Sequence, residues 1–195
     1  MTDRFHLIDE FLAETTRLLE CLDRAAIDRA VSILVGCYRS RGRIFTMGNG
    51  GSASTAQHFA CDLGKYVVPR GGVPFDARSL VDNVSLYTAW ANDAPREDVF
   101  LNQLRGLLAP GDVLLAISVH GGSGVSTDLV RAVRYANQVG AQTISLVGFD
   151  GGVLHRESTC SIIVPVESTP QTEGIHLVIE HLLMFLIRGE LSDTR

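Results

Sequence analysis

Two short segments carry the clearest chemistry: Gly48-Asn-Gly-Gly-Ser52 and Ser118-Val-His-Gly-Gly-Ser123 each follow a β-favouring run and precede a helical stretch. Glycines there permit tight-turn backbone angles, and serine hydroxyls stand at a helix start, where outward N–H groups and the positive helix end suit phosphate. One such turn is ordinary turn chemistry. Two convergent ones point to a small phosphorylated ligand. Neither ends in the Gly-Lys-Ser/Thr of a P-loop or keeps the dinucleotide glycine spacing, which disfavours a nucleoside triphosphate or NAD.

His58 and Asp62 stand four residues apart on the helix predicted after the first turn, so they share a face. Glu173 opens a late helix in which His181 sits in apolar company, where an imidazole needs a partner. These four residues offer either ligands for Zn²⁺ or a similar divalent metal, or an acid and a base acting on a sugar. Helical His/Asp pairs are also common surface features. His176 and Glu180, on other faces of the late helix, read as structural or solvent-facing. Cys21, Cys37, Cys61 and Cys160 form no C-x-x-C pair and read as free buried thiols. Cys61, beside the candidate site, reads as packing rather than as a nucleophile.

The elements that must position these groups follow from periodicity. Phe5 to Leu19 carries an amphipathic stripe, and a second helix runs from an Asp23 cap to about Arg39. Strands are predicted at Arg43–Met47, Phe75–Leu80, Val113–Ser118, Thr143–Val147 and Ser161–Pro165. Helices are predicted at Ala53–Leu63, Asp82–Trp90, Glu97–Leu107 and Val125–Val139. Alternating strands and helices imply right-handed crossovers and a three-layer α/β/α sandwich with a five-stranded, mainly parallel sheet. Ligands bind such sheets at the carboxyl ends of the strands where the order reverses, and both glycine turns would lie there. The chain reads as one domain, with residues 1–40 a helical assembly segment and 41–195 the α/β core. The first two helices are expected to cover the sheet edge or to pack on another subunit.

Of 195 residues, 46% are apolar and 20% charged, an ordinary globular composition. Seventeen basic against 22 acidic residues leave a net charge of −5 with no basic run, which argues against nucleic acid as a partner. No segment reaches the roughly 20 apolar residues of a membrane span, and the N-terminus lacks a signal peptide. A cytoplasmic protein with no membrane partner is expected.

Taken with Gln57-His-Phe-Ala60, Ala91-Asn-Asp93, Pro110-Gly-Asp-Val-Leu-Leu-Ala-Ile-Ser118, Gly148-Phe-Asp-Gly-Gly152 and Ile175-His176 before His181, the chain resembles the bacterial phosphoheptose isomerases of the SIS-domain proteins nearly end to end. The resemblance implies a flavodoxin-like SIS fold and a homotetramer with active sites between subunits. It implies isomerisation of sedoheptulose 7-phosphate to a heptose 7-phosphate through an enediol. Asp62 would be the base, His181 its acid/base partner, and His58, Asp62, Glu173 and His181 the zinc ligands. Phosphate and sugar contacts are implied for Asn49, Gly50, Gly51, Ser52, Asn92, Asp93, Ser118, Ser123 and Glu173. Three departures stand out: Asp62 replaces the usual Glu, Glu173 replaces the usual Gln, and Val119 and His120 replace hydroxyl residues of the second turn. A protonated His120 is expected to take phosphate in their place, and Lys65, near a basic position of the family, to add a cation. The rival readings are a non-catalytic SIS-domain adaptor and an isomerase of another C6 to C8 ketose phosphate.

Overall fold

The computed structural model describes residues 4–68 and 71–192. Helices α1 (Arg4–Glu20) and α2 (Arg24–Arg39) lead into β1 (Arg43–Gly48), α3 (Gly51–Lys65), β2 (Asp76–Ser79) and α4 (Val84–Asp93). A 3-10 turn at Arg96–Asp98 and α5 (Val99–Leu104) precede β3 (Val113–Ser118), α6 (Thr127–Val139), β4 (Gln142–Gly148), α7 (Gly152–Glu157), β5 (Cys160–Val164) and α8 (Thr169–Ser192). All five strands are parallel, in the order β2-β1-β3-β4-β5. That is the flavodoxin-like order, and winding reverses between β1 and β3.

A parallel sheet covered on both faces needs strands that are apolar throughout, and every residue of Val113–Ser118 is buried. Alternate residues feed two cores. Ile44, Leu115, Ile117 and Leu146 pack under α2, α3 and α8, whereas Phe45, Leu114, Ala116 and Val147 pack under α5, α6 and α7. Asp112 ties the strands together at their amino ends, accepting bonds from the Arg43 N–H and guanidinium (2.8 Å each) and the Ala109 N–H (2.9 Å).

The two leading helices divide their tasks. The Asp23 carboxylate caps α2 by accepting the Ala25 and Ala26 N–H groups, and α2 buries Ile27, Val31, Leu34 and Val35 on the sheet. Helix α1 buries only Leu18 and leaves Ile8, Phe11 and Leu12 exposed. The segment predicted as one helix from Glu97 to Leu107 is a 3-10 turn plus α5, closed before Gly106 at φ +75°. Helix α7 escapes a periodicity reading because six residues cannot display a helical repeat. Of the four free thiols only Cys37 and Cys160 are buried; Cys21 and Cys61 are exposed, so Cys61 contributes no packing to the interior.

Of the two alternatives for His176 and Glu180, structural or solvent-facing, helix α8 takes the structural one. Neither faces solvent: His176 is 1% and Glu180 0% exposed. With Thr172 they fall four residues apart along the buried face, and Thr172 Oγ1, both His176 ring nitrogens and both Glu180 carboxylate oxygens have no hydrogen-bond partner. Burial pushes the His176 pKa down from 6.5 to about 4; the Val147 backbone lies near the ring but outside full hydrogen-bond geometry, and offsets only part of the effect. The unfolded chain therefore takes up a proton here at higher pH than the fold does, and the fold loses stability as pH falls between those values. Measured against His176→Leu by urea unfolding, wild-type protein should lose on the order of 3 kcal/mol between pH 7 and 4. A difference that stays constant with pH would show that His176 titrates normally in the fold.

Candidate active site

Strand β1 delivers the first glycine turn at the carboxyl edge of the sheet. Gly50 caps α3 at φ +58° and ψ −126°, a conformation suited to glycine, and no side chain caps this helix end. Gly48 has no room for a side chain, since a Cβ would lie 2.5 Å from the Ser52 carbonyl oxygen. Asn49 is held from both ends: its amide nitrogen donates to Asp128 at 3.0 and 3.1 Å, and Tyr87 donates to its carbonyl oxygen at 3.5 Å. Burial, reinforced by the Asp128 charge, raises the Tyr87 pKa and keeps its proton in place for that contact.

The second turn is braced from below by the β4–α7 loop. Gly148 N–H donates to the Val119 carbonyl (3.0 Å), Leu154 N–H to that of Gly121 (2.9 Å), and Ser123 N–H closes the turn on His120 (3.1 Å). Gly121, at φ +57°, lies so close to the Gly151 carbonyl that a Cβ cannot fit. The His120 ring stacks at 4.5 Å on Phe149, itself held at φ +54°. Between the turns lies a recess of about 190 Å³ lined by Asn49, Ser52, Ser118, His120, Thr169 and Glu173, among others. A neighbouring recess of about 320 Å³ shares Asn49 and Ser126 and brings in Arg96.

A second group of chemical residues lies further along α3 and α8. His58, Asp62, Glu180 and His181 each present a ligand atom within 4.8 Å of the others. The Asp62 carboxylate is 3.5 Å from His58 Nε2 and 4.0 Å from His181 Nε2, and the two rings meet edge to face at 5.1 Å. A tetrahedral zinc with ligands near 2.1 Å sets donors about 3.4 Å apart, so the two imidazoles and the carboxylate need little adjustment to share an ion. Burial, and then the negative charge of Asp62, push the Glu180 carboxyl up to about 8.

These positions sort the residues singled out by sequence. Asn49, Ser52, Ser118, His120 and Glu173 surround the turn recess; Gly50 and Gly51 stand at the start of α3, Gly51 against the Glu173 carboxylate, and neither lines the recess. Within one chain Glu173 does not join His58, Asp62 and His181: its carboxylate lies where a Cβ on Gly51 would be, eight residues and about 12 Å of helix from His181. Lys65 is exposed in the last turn of α3, thirteen residues from Ser52, and does not reach the turns of its own chain. Asn92 and Asp93 are exposed at the end of α4, bonded to each other at 2.7 Å, and line neither recess. Ser123 is exposed at the tip of its turn, and Ser126, held at φ +56° before α6, lines the recess instead. The sequence does not mark Arg96, Ser126 or Thr169, and it offers Glu180 only as a structural or solvent-facing residue; of these, Ser126, a cap residue before an amphipathic helix, carried a usable signal.

The SIS domain family matches residues 10–148. Phosphoheptose isomerase of Helicobacter pylori strain Shi470 is 39% identical over 187 residues, covering 94% of this chain and 95% of that one. The corresponding protein of Aliarcobacter butzleri strain RM4018 is 35% identical, covering 95% and 97%. The solved structure of a phosphoheptose isomerase from Francisella tularensis superposes with a TM-score of 0.87 at 26% identity, covering 97% of this chain and all of that one.

The tightness of the first turn can be tested directly. Gly48→Ala should weaken binding of a sugar phosphate at least tenfold by calorimetry, because the new methyl displaces the start of α3. Gly64→Ala, whose Cβ would meet nothing within 4 Å, should bind as wild type. Equal affinities for all three proteins would remove the turn from the ligand site.

Proposed function

We propose that this chain, which belongs to the SIS-domain proteins and within them to the phosphoheptose isomerase family, interconverts sedoheptulose 7-phosphate and D-glycero-D-manno-heptose 7-phosphate. The observation that carries this reading is the meeting of Asp62 with His58 and His181 on α3 and α8, the helices whose amino ends also form the turn recess.

The phosphate would be held by the leading N–H groups of α3, the hydroxyls of Ser52, Ser118 and Ser126, and the cations of Arg96 and protonated His120. Asp62 removes a proton from C1 of the ketose while His181, as imidazolium, donates one to the C2 carbonyl oxygen; the C1–C2 double bond of the enediol forms. Asp62 then returns its proton to C2. His181, now neutral, takes the proton of the C1 hydroxyl, which leaves the aldehyde at C1 and restores both groups. His58, Asp62 and His181 suit a divalent cation such as zinc, and the unpartnered Glu180 carboxylate beside them adds the charge that a cation would offset. When bound, the ion would take the place of the His181 proton and supply Lewis-acid stabilisation of negative charge on the enediolate oxygens.

The isomerase is inferred to work as a homotetramer. His181 is surrounded on α8 by exposed apolar residues, Leu177, Val178, Phe185 and Leu186, and α1 exposes Ile8, Phe11 and Leu12. Apolar faces of this kind suit burial against further copies of the chain. An active site built between subunits would then set the His58 and His181 group of one protomer opposite the turn recess of another.

Purified protein should turn over sedoheptulose 7-phosphate, and His181→Ala or Asp62→Asn should lower kcat by about 10²–10⁴-fold. Fully folded, metal-replete protein without turnover on any C6 to C8 ketose phosphate would leave the adaptor reading in its place. The assembly has its own test: at substrate concentrations too low to saturate Gly48→Ala, co-refolding it with His181→Ala should give more activity than the two variants kept apart, since some mixed sites regain both halves. No recovery in verified mixed tetramers would place each site within one chain.

A further inference from the structure

Among the described residues, Glu180 is the acidic side chain whose placement the reading above leaves unexplained. It is fully buried, both carboxylate oxygens lack a partner, and it lies on α8 directly before His181. A buried carboxylate without a hydrogen bond or counter-charge is strongly unfavourable, and here the nearest acid, Asp62, adds repulsion. His58 and His181 cannot relieve it, since neither bonds to it. A cation at the point where the four side chains converge would relieve both penalties together.

We propose that Glu180, rather than Glu173 of the same chain, completes with His58, Asp62 and His181 a two-histidine, two-carboxylate site for a divalent transition metal, zinc by ligand type. The proposal rests on the metal-assisted reading of the isomerase site and assigns it a ligand that neither composition nor spacing had indicated. Geometry favours Glu180: its carboxylate shares the 4.8 Å sphere of donor atoms, whereas Glu173 lies against Gly51 at the amino end of α3. Chemistry agrees. Two neutral imidazoles and two carboxylates cancel the charge of a divalent ion, and nitrogen and oxygen donors without thiolate suit Zn²⁺ or its first-row neighbours. The buried side of the site then consists of Glu180, and the exposed side is left to His58 and His181, 44% and 53% accessible.

The test is metal binding by the whole protein, read independently of turnover. Metal-depleted wild type should bind one zinc per chain by calorimetry, take up Co²⁺ with a visible tetrahedral absorption band, and rise in Tm on loading. Glu180→Gln should weaken zinc binding at least tenfold and alter the Co²⁺ spectrum, with circular dichroism unchanged. Glu180→Leu fills the buried space without a charge; it should fold at least as well as metal-free wild type and lose the zinc-dependent rise in Tm. Wild-type affinity and spectrum in both variants, or no zinc binding by wild type, would overturn the assignment. A protein that binds zinc through Glu180 yet turns over no ketose phosphate would overturn the isomerase reading and leave this one standing.

Discussion

Helices α3 and α8 lie side by side over one face of the sheet, and the candidate site takes its shape from that contact. Phe59 and Leu63 of α3 share a core with Ile175, Ile179 and Leu183 of α8. Thr46 on β1 donates its hydroxyl proton to the Ala56 carbonyl at 2.7 Å, fixing α3 against the strand that feeds it. Both helices start at the carboxyl edge of the sheet and run back across it. Their first turns therefore meet around Gly51 and Glu173, and their middles meet around Asp62 and His181. One packing contact sets both the anion end and the acid–base end, about two to three helical turns apart.

The sequence was read well wherever a local rule governs local structure. The all-apolar run Val113–Ser118 could only be a central strand, and Asp23 could only open a helix. The position of Glu180 was not legible for a physical reason. Helix α8 is apolar on nearly every side: Ile175, Ile179, Leu183 and Ile187 are buried, while Leu177, Val178 and Phe185 are exposed. A periodicity argument finds the inward face by contrast with a polar one, and this helix offers little contrast. A carboxylate within it therefore reads equally as structural or as solvent-facing, although it is four residues from buried His176 and on the same face. For Glu173, matching motifs conveys residue type but not the roughly 12 Å that eight helical residues impose between it and His181 of the same chain.

The polar groups on the inner face of α8 set stability against function. His176 is kept neutral by burial, and Glu180 is held in its protonated form to unusually high pH by burial and by Asp62. Well-packed apolar residues of similar size would serve the fold better. Their presence fits a helix shaped by what it binds as well as by what it packs against. Any ion that favours the folded arrangement over the unfolded chain returns part of this cost as binding-linked stability.

At the other end, charge decides how phosphate can be recognised. The chain is net negative, and the turn recess already contains Glu173 at the positive end of α3, with Asp128 close behind Asn49. Asp128 is engaged by hydrogen bonds from the Asn49 amide and the Leu129 N–H. Glu173 is the anion that a phosphate must share the helix end with. Long-range attraction is therefore weak, and affinity depends on short-range donors: backbone N–H groups, Ser52, Ser118, Ser126 and the guanidinium of Arg96. A bare phosphate uses only part of that set. A sugar phosphate also places hydroxyls where the Glu173 carboxylate can accept their hydrogen bonds, which turns a repulsive neighbour into a specificity contact. On the proposed reading, Glu in place of the Gln implied by the resemblance would move discrimination away from the phosphate and towards the sugar attached to it.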